Sequence, residues 1–133
     1  MKGIRASVTR ALPVGARVPT CDNSGAKVVQ IIGVKGMRTR KGRVASAGVG
    51  DMVVVTVISG RPDMRNKVVP AIVVRQKKEY RRADGTHVKF EDNSVVVLKD
   101  EKGNPKGTIF KGPVAKESVE RWSAVGKVAN IVL

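Results

Sequence analysis

The sequence predicts a mainly β protein, a small barrel or sandwich of short strands followed by a short helical segment at the C-terminal end. Three observations carry this. Apolar runs are short, dense in Val and Ile, and bounded by Gly, Pro, Asp or Asn; stiff β-branched side chains pack best on a pleated surface. The runs are continuous rather than alternating, which implies burial on both faces or strong curvature. The 14 glycines supply the bends and bulges that a tightly curved sheet needs. A chain of 133 residues makes one domain, 1–133, without room for a second core.

In order along the chain, the turn formers Asp22-Asn23-Ser24-Gly25 precede a first long strand at Val28-Val29-Gln30-Ile31-Ile32. A second follows at Met52-Val53-Val54-Val55-Thr56-Val57-Ile58, and a third apolar stretch comprises Val68-Val69 and Ala71-Ile72-Val73-Val74. Ala83-Asp84-Gly85-Thr86 reads as a turn before Ser94-Val95-Val96-Val97-Leu98, and Lys102-Gly103-Asn104-Pro105 as another after it. Gly112-Pro113 ends the strand region. Residues 114–121 are good helix formers and place Lys116 and Glu120 four apart, where opposite charges on a helix attract. Ser123 or Gly126 then breaks the helix, and a second helical turn or a strand follows to Leu133.

Charge dominates the composition. There are 26 Lys+Arg against 11 Asp+Glu, a formal net charge of +15, in a chain that is 41% hydrophobic. That hydrophobic fraction is too high for a disordered basic tail, and the charge exceeds what solubility needs. Such a field attracts polyanions, either nucleic acid or an acidic membrane surface. The longest uncharged stretch is the nine residues Met52 to Gly60, too short to cross a bilayer. Arg5 and Arg10 interrupt any apolar leader, although residues 1–21, basic and free of acid, share the composition of an organellar transit peptide. The single Cys21 excludes an intrachain disulfide and fits a reducing compartment. One Cys and one His, His87, cannot build a structural zinc site, so no metal and no cofactor is expected.

The charge is unevenly distributed. Residues 1–90 hold 19 basic and 5 acidic side chains, and residues 91–133 hold 7 and 6. Two clusters account for much of the excess. In the first, Lys35-Gly36-Met37-Arg38-Thr39-Arg40-Lys41-Gly42-Arg43 has five bases, no acid and two glycines. Arg forks pair phosphate oxygens two at a time, Lys adds point charge, and Gly admits a backbone closely. The bland alternative is a solvated basic loop. The second, Arg75-Gln76-Lys77-Lys78-Glu79-Tyr80-Arg81-Arg82, joins two strands and suits a hairpin that enters a groove. It equally suits an edge strand kept soluble by its charge. The near-neutral segment 112–133 reads instead as a protein-facing surface presenting Glu117, Glu120, Arg121 and Trp122.

Enzymatic constellations are weak. His87 stands alone beside a turn, Cys21 reads as a small buried hydrophobe, and no acids pair for acid–base work. Gly126-Lys127 lacks the rest of a phosphate-cradling loop. Only Tyr80, Phe90, Phe110 and Trp122 are aromatic, too few for the stacking platforms of single-strand binders. Helix-borne DNA readers fit poorly because the basic clusters flank strands. Backbone and shape recognition of folded RNA remains, with a polyanion-compacting chaperone and a small RNA-acting enzyme using His87 as the alternatives.

Several motifs, in order, resemble one family. Thr20-Cys21-Asp22-Asn23-Ser24-Gly25-Ala26-Lys27 looks like the conserved turn of the universal large-subunit ribosomal protein fourteen family. Ala71-Ile72-Val73-Val74, Asp84-Gly85, Phe90, Asn93 and Val95-Val96 fall at the spacings of its signature. Gly48-Val49-Gly50-Asp51 and Gly107-Thr108-Ile109-Phe110 with Gly112-Pro113-Val114 match in order. The resemblance spans roughly residues 15–133. Residues 1–14, an N-terminal extension, and Glu120-Arg121-Trp122 look like the archaeal and eukaryotic branch. The bacterial form reads Gly-Thr-Arg-Ile-Phe-Gly-Pro-Val where Ile109-Phe110-Lys111 precede Gly112-Pro113 here, so no single contact at 108–111 is carried over.

The resemblance implies a five-stranded β-barrel, a projecting β-ribbon and a C-terminal helical element at 112–133. It implies a non-enzymatic constituent of the cytoplasmic ribosome that binds large-subunit rRNA and bridges to small-subunit rRNA. Neighbouring ribosomal proteins, and a subunit anti-association factor at the C-terminal region, are the implied protein partners; no membrane is. Asn23, Ser24 and Lys27 match the turn. Arg75, Lys77, Lys78, Arg81, Arg82 and Lys89 fall within the signature's span. Lys35, Arg38, Arg40, Lys41 and Arg43 match in position and basic character.

Overall fold

A computed structural model describes residues 3, 7–36 and 39–133 of the chain. Its first elements are β1 (Leu12–Pro13), β2 (Arg17–Pro19), β3 (Ala26–Val34), β4 (Ser46–Ala47), β5 (Met52–Gly60) and β6 (Val68–Arg75). There follow β7 (Tyr80–Arg81), β8 (His87–Val88), β9 (Ser94–Val97), β10 (Pro113–Val114), α1 (Lys116–Arg121), α2 (Ser123–Val128) and β11 (Ile131–Val132). The expected long strands are β3, β5, β6 and β9. Pro70 does not divide β6, because it sits one residue before the β9 ladder starts at Ala71, where its carbonyl takes Leu98 N at 3.0 Å. The helical break falls at Trp122–Ser123, and Gly126 lies inside α2.

Five strands form one antiparallel sheet in the order β2-β3-β5-β6-β9, with Ile31 opposite Val55, Val53 opposite Ala71, and Ala71 opposite Val97. Three register shifts in the β3–β5 ladder bend it, since each extra residue increases local twist. The curl brings the edges together at one parallel bridge, Thr20 to Val95, where Cys21 N reaches Val95 O at 3.1 Å. The expected barrel is thus a curled five-stranded sheet tied at a single bridge, not one closed by a continuous ladder. β7 and β8 form the expected ribbon as a short hairpin. Its base is pinned by buried Tyr80 and Phe90, and residues 83–87 stand exposed at its tip.

The core explains the continuous apolar runs. Val18, Val29, Ile31, Val53, Val55, Val57, Ala71, Val73, Val95 and Val97 fill the inside of the curl. On the other face of β6 and β9, Ile72, Val74, Val96 and Leu98 pack with Met52, Phe110, Val114, Trp122 and Val125. β6 and β9 are therefore buried on both sides, with the tail as their roof. β5 is different. Its alternate residues Val54, Thr56 and Ile58 are only half-buried, so its unbroken apolar run covers one buried face and one open one.

Candidate nucleic-acid interface

β3 and β5 carry the chain to one end of the sheet, and the first basic cluster is the connection between them. β4 returns alongside β1, with Leu12 opposite Ala47 and Val14 N on Ala45 O at 3.0 Å. At the tip Arg43 N donates to Arg40 O at 3.3 Å, and the two residues between, Lys41 and Gly42, have φ 58 and 76. This is the left-handed two-residue turn of tight hairpins. Gly42 adopts it freely, whereas a lysine there costs on the order of 1–2 kcal/mol. Arg40, Lys41 and Arg43 are all exposed, and no acid among the described residues pairs with them. Lys35 sits 2.6 Å from Glu101 in an exposed pair of little worth. Arg38 lies outside the described residues.

At the same end, the segment after β6 alternates between buried anchors and exposed bases. Gln76, fully buried, takes Val49 N at 3.1 Å and gives its amide to Thr9 O and Lys78 O at 3.0 Å. Arg75 is only 6% exposed; its Nη1 donates to Lys111 O at 2.8 Å and Pro113 O at 3.0 Å, and Asp92 lies 3.1 Å from its Nε. Its guanidinium is spent joining β6 to the approach of the tail, which corrects its placement among RNA-facing residues. Lys77, Lys78, Arg81 and Lys89 are exposed and have no ion pair within the described residues. Arg82 turns inward to Glu117, at 2.9 Å, and to Leu133 O.

The Asp22–Gly25 turn lies at the opposite end. Asp22 is buried, and its carboxylate accepts Val97 N at 2.9 Å and Ser24 Oγ at 2.8 Å. Burial pushes its pKa up against the pull of these bonds. Ser24 is itself buried, so its hydroxyl holds the turn and does not face solvent. Asn23 is exposed; its Oδ1 accepts Thr108 N at 2.8 Å and its Nδ2 donates to Thr108 Oγ1 at 3.0 Å. Lys27 is exposed beside it. The sequence reading passed over the basic β5–β6 connection, Arg61 to Lys67. The signal was there, three bases against one acid among turn formers. Arg61 Nη2 donates to Ser24 O at 3.1 Å, and its guanidinium crosses Gly25 where a Cβ would collide.

The tail residues expected at a surface are mostly structural. Trp122 is 6% exposed, with its indole N–H on Gly50 O at 2.8 Å. Glu117 is buried and accepts from Tyr80 OH at 2.8 Å and Arg82 Nε at 2.9 Å. Arg121 pairs with Asp51 at 2.9 Å. Of these four residues only Glu120 is exposed, 3.7 Å from Lys116. The expectation that Glu117 and Trp122 are presented outward is corrected: a short tail roofs the sheet only by burying its large groups in it.

Among the described residues no catalytic arrangement forms around the single histidine. His87 is exposed, 2.7 Å from Glu79. Cys21 is buried and its thiol pKa is pushed up by burial, the reverse of an activated nucleophile. The acids, by contrast, are largely engaged. Asp22, Asp51, Asp63, Glu79, Asp92, Glu101, Glu117 and Glu120 each bind a partner within the chain. Arg40, Lys41, Arg43, Lys77, Lys78, Arg81 and Lys89 are left without counter-charge among the described residues.

The amino-acid sequence has matches among known proteins. The family model described as ribosomal protein L14p/L23e fits residues 11–133. The chain belongs to that family. A curated relative from Nanoarchaeum equitans (strain Kin4-M), named large ribosomal subunit protein uL14, is 57% identical over 133 residues, the full length of both chains. One of the same name from Methanococcus vannielii is 52% identical over 132 residues, 99% of each. The family consists of ribosomal structural proteins and is not known to be enzymatic. Among the described residues no helix is long and apolar enough to cross a membrane.

Proposed function

We propose that the chain is a structural constituent of the large ribosomal subunit, that it binds large-subunit rRNA through its loops, and that it helps bridge to small-subunit rRNA. The full-length similarity to large-subunit proteins supports the first statement. The observation that carries the RNA reading is the fate of the charges: most acids are engaged inside the chain, while Arg40, Lys41, Arg43, Lys77, Lys78, Arg81 and Lys89 stand exposed at one end of the sheet. Lys35 exchanges its weak surface partner for phosphate. Arg38 falls in the same basic loop, and Asn23 and Lys27 form a contact at the opposite end. Ser24, Arg75 and Arg82 serve by fixing the segments that carry these groups.

Neighbouring ribosomal proteins, and an anti-association factor, meet the C-terminal segment at its outward side chains, with Glu120 the foremost. The working place is the cytoplasmic ribosome. The test is co-sedimentation with large subunits through a high-salt wash, together with affinity for cognate rRNA as a function of salt. Retention in the subunit and a log–log slope on the order of −6 to −9 are expected for roughly eight to ten phosphate contacts. A slope near zero for the folded protein would sink the RNA reading, and loss from subunits the ribosomal one.

A further inference from the structure

We propose that the outer face of β3, β5 and the start of β6 docks a helix of another protein, one that is apolar along its contact stripe and acidic on its flanks. This rests on the ribosomal reading above and adds a protein interface on a face to which that reading assigns nothing.

The outer side of the curled sheet has two halves. Over β6 and β9 the chain roofs it with its own tail: Ile72, Val74, Val96 and Leu98 lie buried there with Phe110, Val114, Trp122 and Val125. The other half is defined by what faces in. Val29, Ile31, Val55 and Val57 fill the inside of the curl, so Gln30 and Ile32 on β3, and Val54, Thr56 and Ile58 on β5, face out. Gln30 pairs with Thr56, Thr56 with Val68 and Val54 with Pro70, which carries the face onto β6. Ile32 is 46% exposed and Val68 62%. Gln30, Val54, Thr56, Ile58 and Pro70 are half-buried.

None of these outward residues carries a charge, in a chain that is 28% charged. A sheet face left to water ordinarily sets polar side chains against the buried ones. Here the open half is built of the same Val and Ile as the roofed half, yet Ile32, Val54, Ile58 and Val68 join neither packed core. A contiguous apolar patch with a polar rim marks a contact surface.

The rim selects the occupant. Arg17 is exposed opposite Gln30 on one side, and Lys67 is exposed next to Val68 on the other. β2 and β6 are three strand spacings apart, roughly 14 Å along the sheet, and a helix with its side chains is about 10–12 Å across. A helix laid between the two bases meets each with one flank. No acid occurs in β3, β5 or β6, so the counter-charges come from the partner. α1 and α2 already cover the other half of this same side, and a docked helix continues their layer. A second copy of the chain would set the same bases, and two net charges of +15, against each other. RNA finds on Ile32, Val54, Ile58 and Val68 neither a donor for its phosphates nor an aromatic ring for its bases.

The experiment places a benzophenone amino acid at Ile32 or at Val68 of the full chain and irradiates large subunits that contain it. Crosslinks are mapped by mass spectrometry on protein and by primer extension on rRNA. Both positions are expected to reach one helical segment of another protein, with apolar residues three and four apart and Asp or Glu flanking them. With the probe at Val68, Ile32→Lys/Ile58→Lys should lower the crosslink yield about tenfold and leave retention in the subunit unchanged. If that variant unfolds, Ile32→Lys alone, at the more exposed position, replaces it. Crosslinks confined to rRNA, to a second copy of the chain or to a segment without acids would overturn the proposal. So would no crosslink at all, or a yield that the lysines leave unchanged. A chain that never enters large subunits would remove the ribosomal reading, and this proposal with it.

Discussion

The loop between β3 and β4 and the C-terminal tail both carry charged side chains, and the fold uses them in opposite ways. In the loop, Arg40, Lys41 and Arg43 are exposed around a tight turn and meet no acid among the described residues. In the tail, Glu117, Arg121 and the indole of Trp122 each reach back to the sheet or its hairpin, to Tyr80 and Arg82, to Asp51 and to Gly50. A charge that finds a partner inside the chain latches the fold; one that finds none is available to a ligand. Sequence charge marks the loop, whose bases stand exposed and unpaired among the described residues, but not the tail, whose charges find partners in elements remote in sequence.

The sharpest break of this contrast is Trp122→Ala. Removing the buried ring opens a cavity between α2 and the outer face of β6 and β9, and a loss of about 3–5 kcal/mol is expected in denaturant unfolding. A loss below about 0.5 kcal/mol would show that the tail is a surface element after all.

Next comes Glu117→Gln. It leaves the Arg82 guanidinium without its carboxylate and weakens the bond from Tyr80 OH, and a cost of about 1–3 kcal/mol should appear as a lower unfolding midpoint. The same node sets an alkaline limit. Burial, then the bond to Glu117 and its charge, hold the Tyr80 pKa well above its ordinary 10.0. Below pH 10 the hydroxyl is protonated in both states. Above it the unfolded chain releases the proton while the folded one keeps it, so stability falls as pH rises. Unfolding titrations from pH 9 upward should show that fall in the wild type and a flatter curve in Tyr80→Phe.

Arg40→Gln/Lys41→Gln/Arg43→Gln tests the other side of the contrast. Stability should change by no more than about 0.5 kcal/mol, as for exposed substitutions generally, while the salt slope for RNA falls by about 2–3. Unfolding of this variant would make the loop a structural latch like the tail. The smallest effect is expected of Lys41→Gly, in which relief of the left-handed lysine is largely offset by the added freedom of the unfolded chain, so that stability should rise by less than about 0.5 kcal/mol while the RNA salt slope falls by about 1.

Most of the strand pattern was legible in the sequence because Val and Ile cluster where the pleated surface is buried. Burial on both faces was correctly implied for β6 and β9, which have the curl on one side and the tail on the other. β5 takes the other alternative, strong curvature: its ladder with β3 carries three register shifts, and Val54 and Ile58, as apolar as their neighbours, are half-open; residue type alone does not say which face is covered. The basic loop was legible because nothing nearby in sequence neutralises it. Arg75 and Arg82 were not, since their partners Asp92 and Glu117 lie in other elements that only the fold brings near. The Arg61–Lys67 turn was not legible as an exposed basic segment, because the burial of Met64 that turns its bases outward is a tertiary fact.

The single bridge from Thr20 to Val95 has a kinetic consequence. It joins the two ends of a sheet whose other strands all lie between them in sequence, so β2 and β9 cannot meet until nearly the whole sheet has been made. Pairings this remote are slow to form, because the loop they close must be ordered first. Until then both strands offer unpaired backbone to any neighbour. The high positive charge keeps such half-made chains apart from one another by repulsion, so the same lysines and arginines that we propose meet RNA in the finished molecule shield the unfinished one from aggregation.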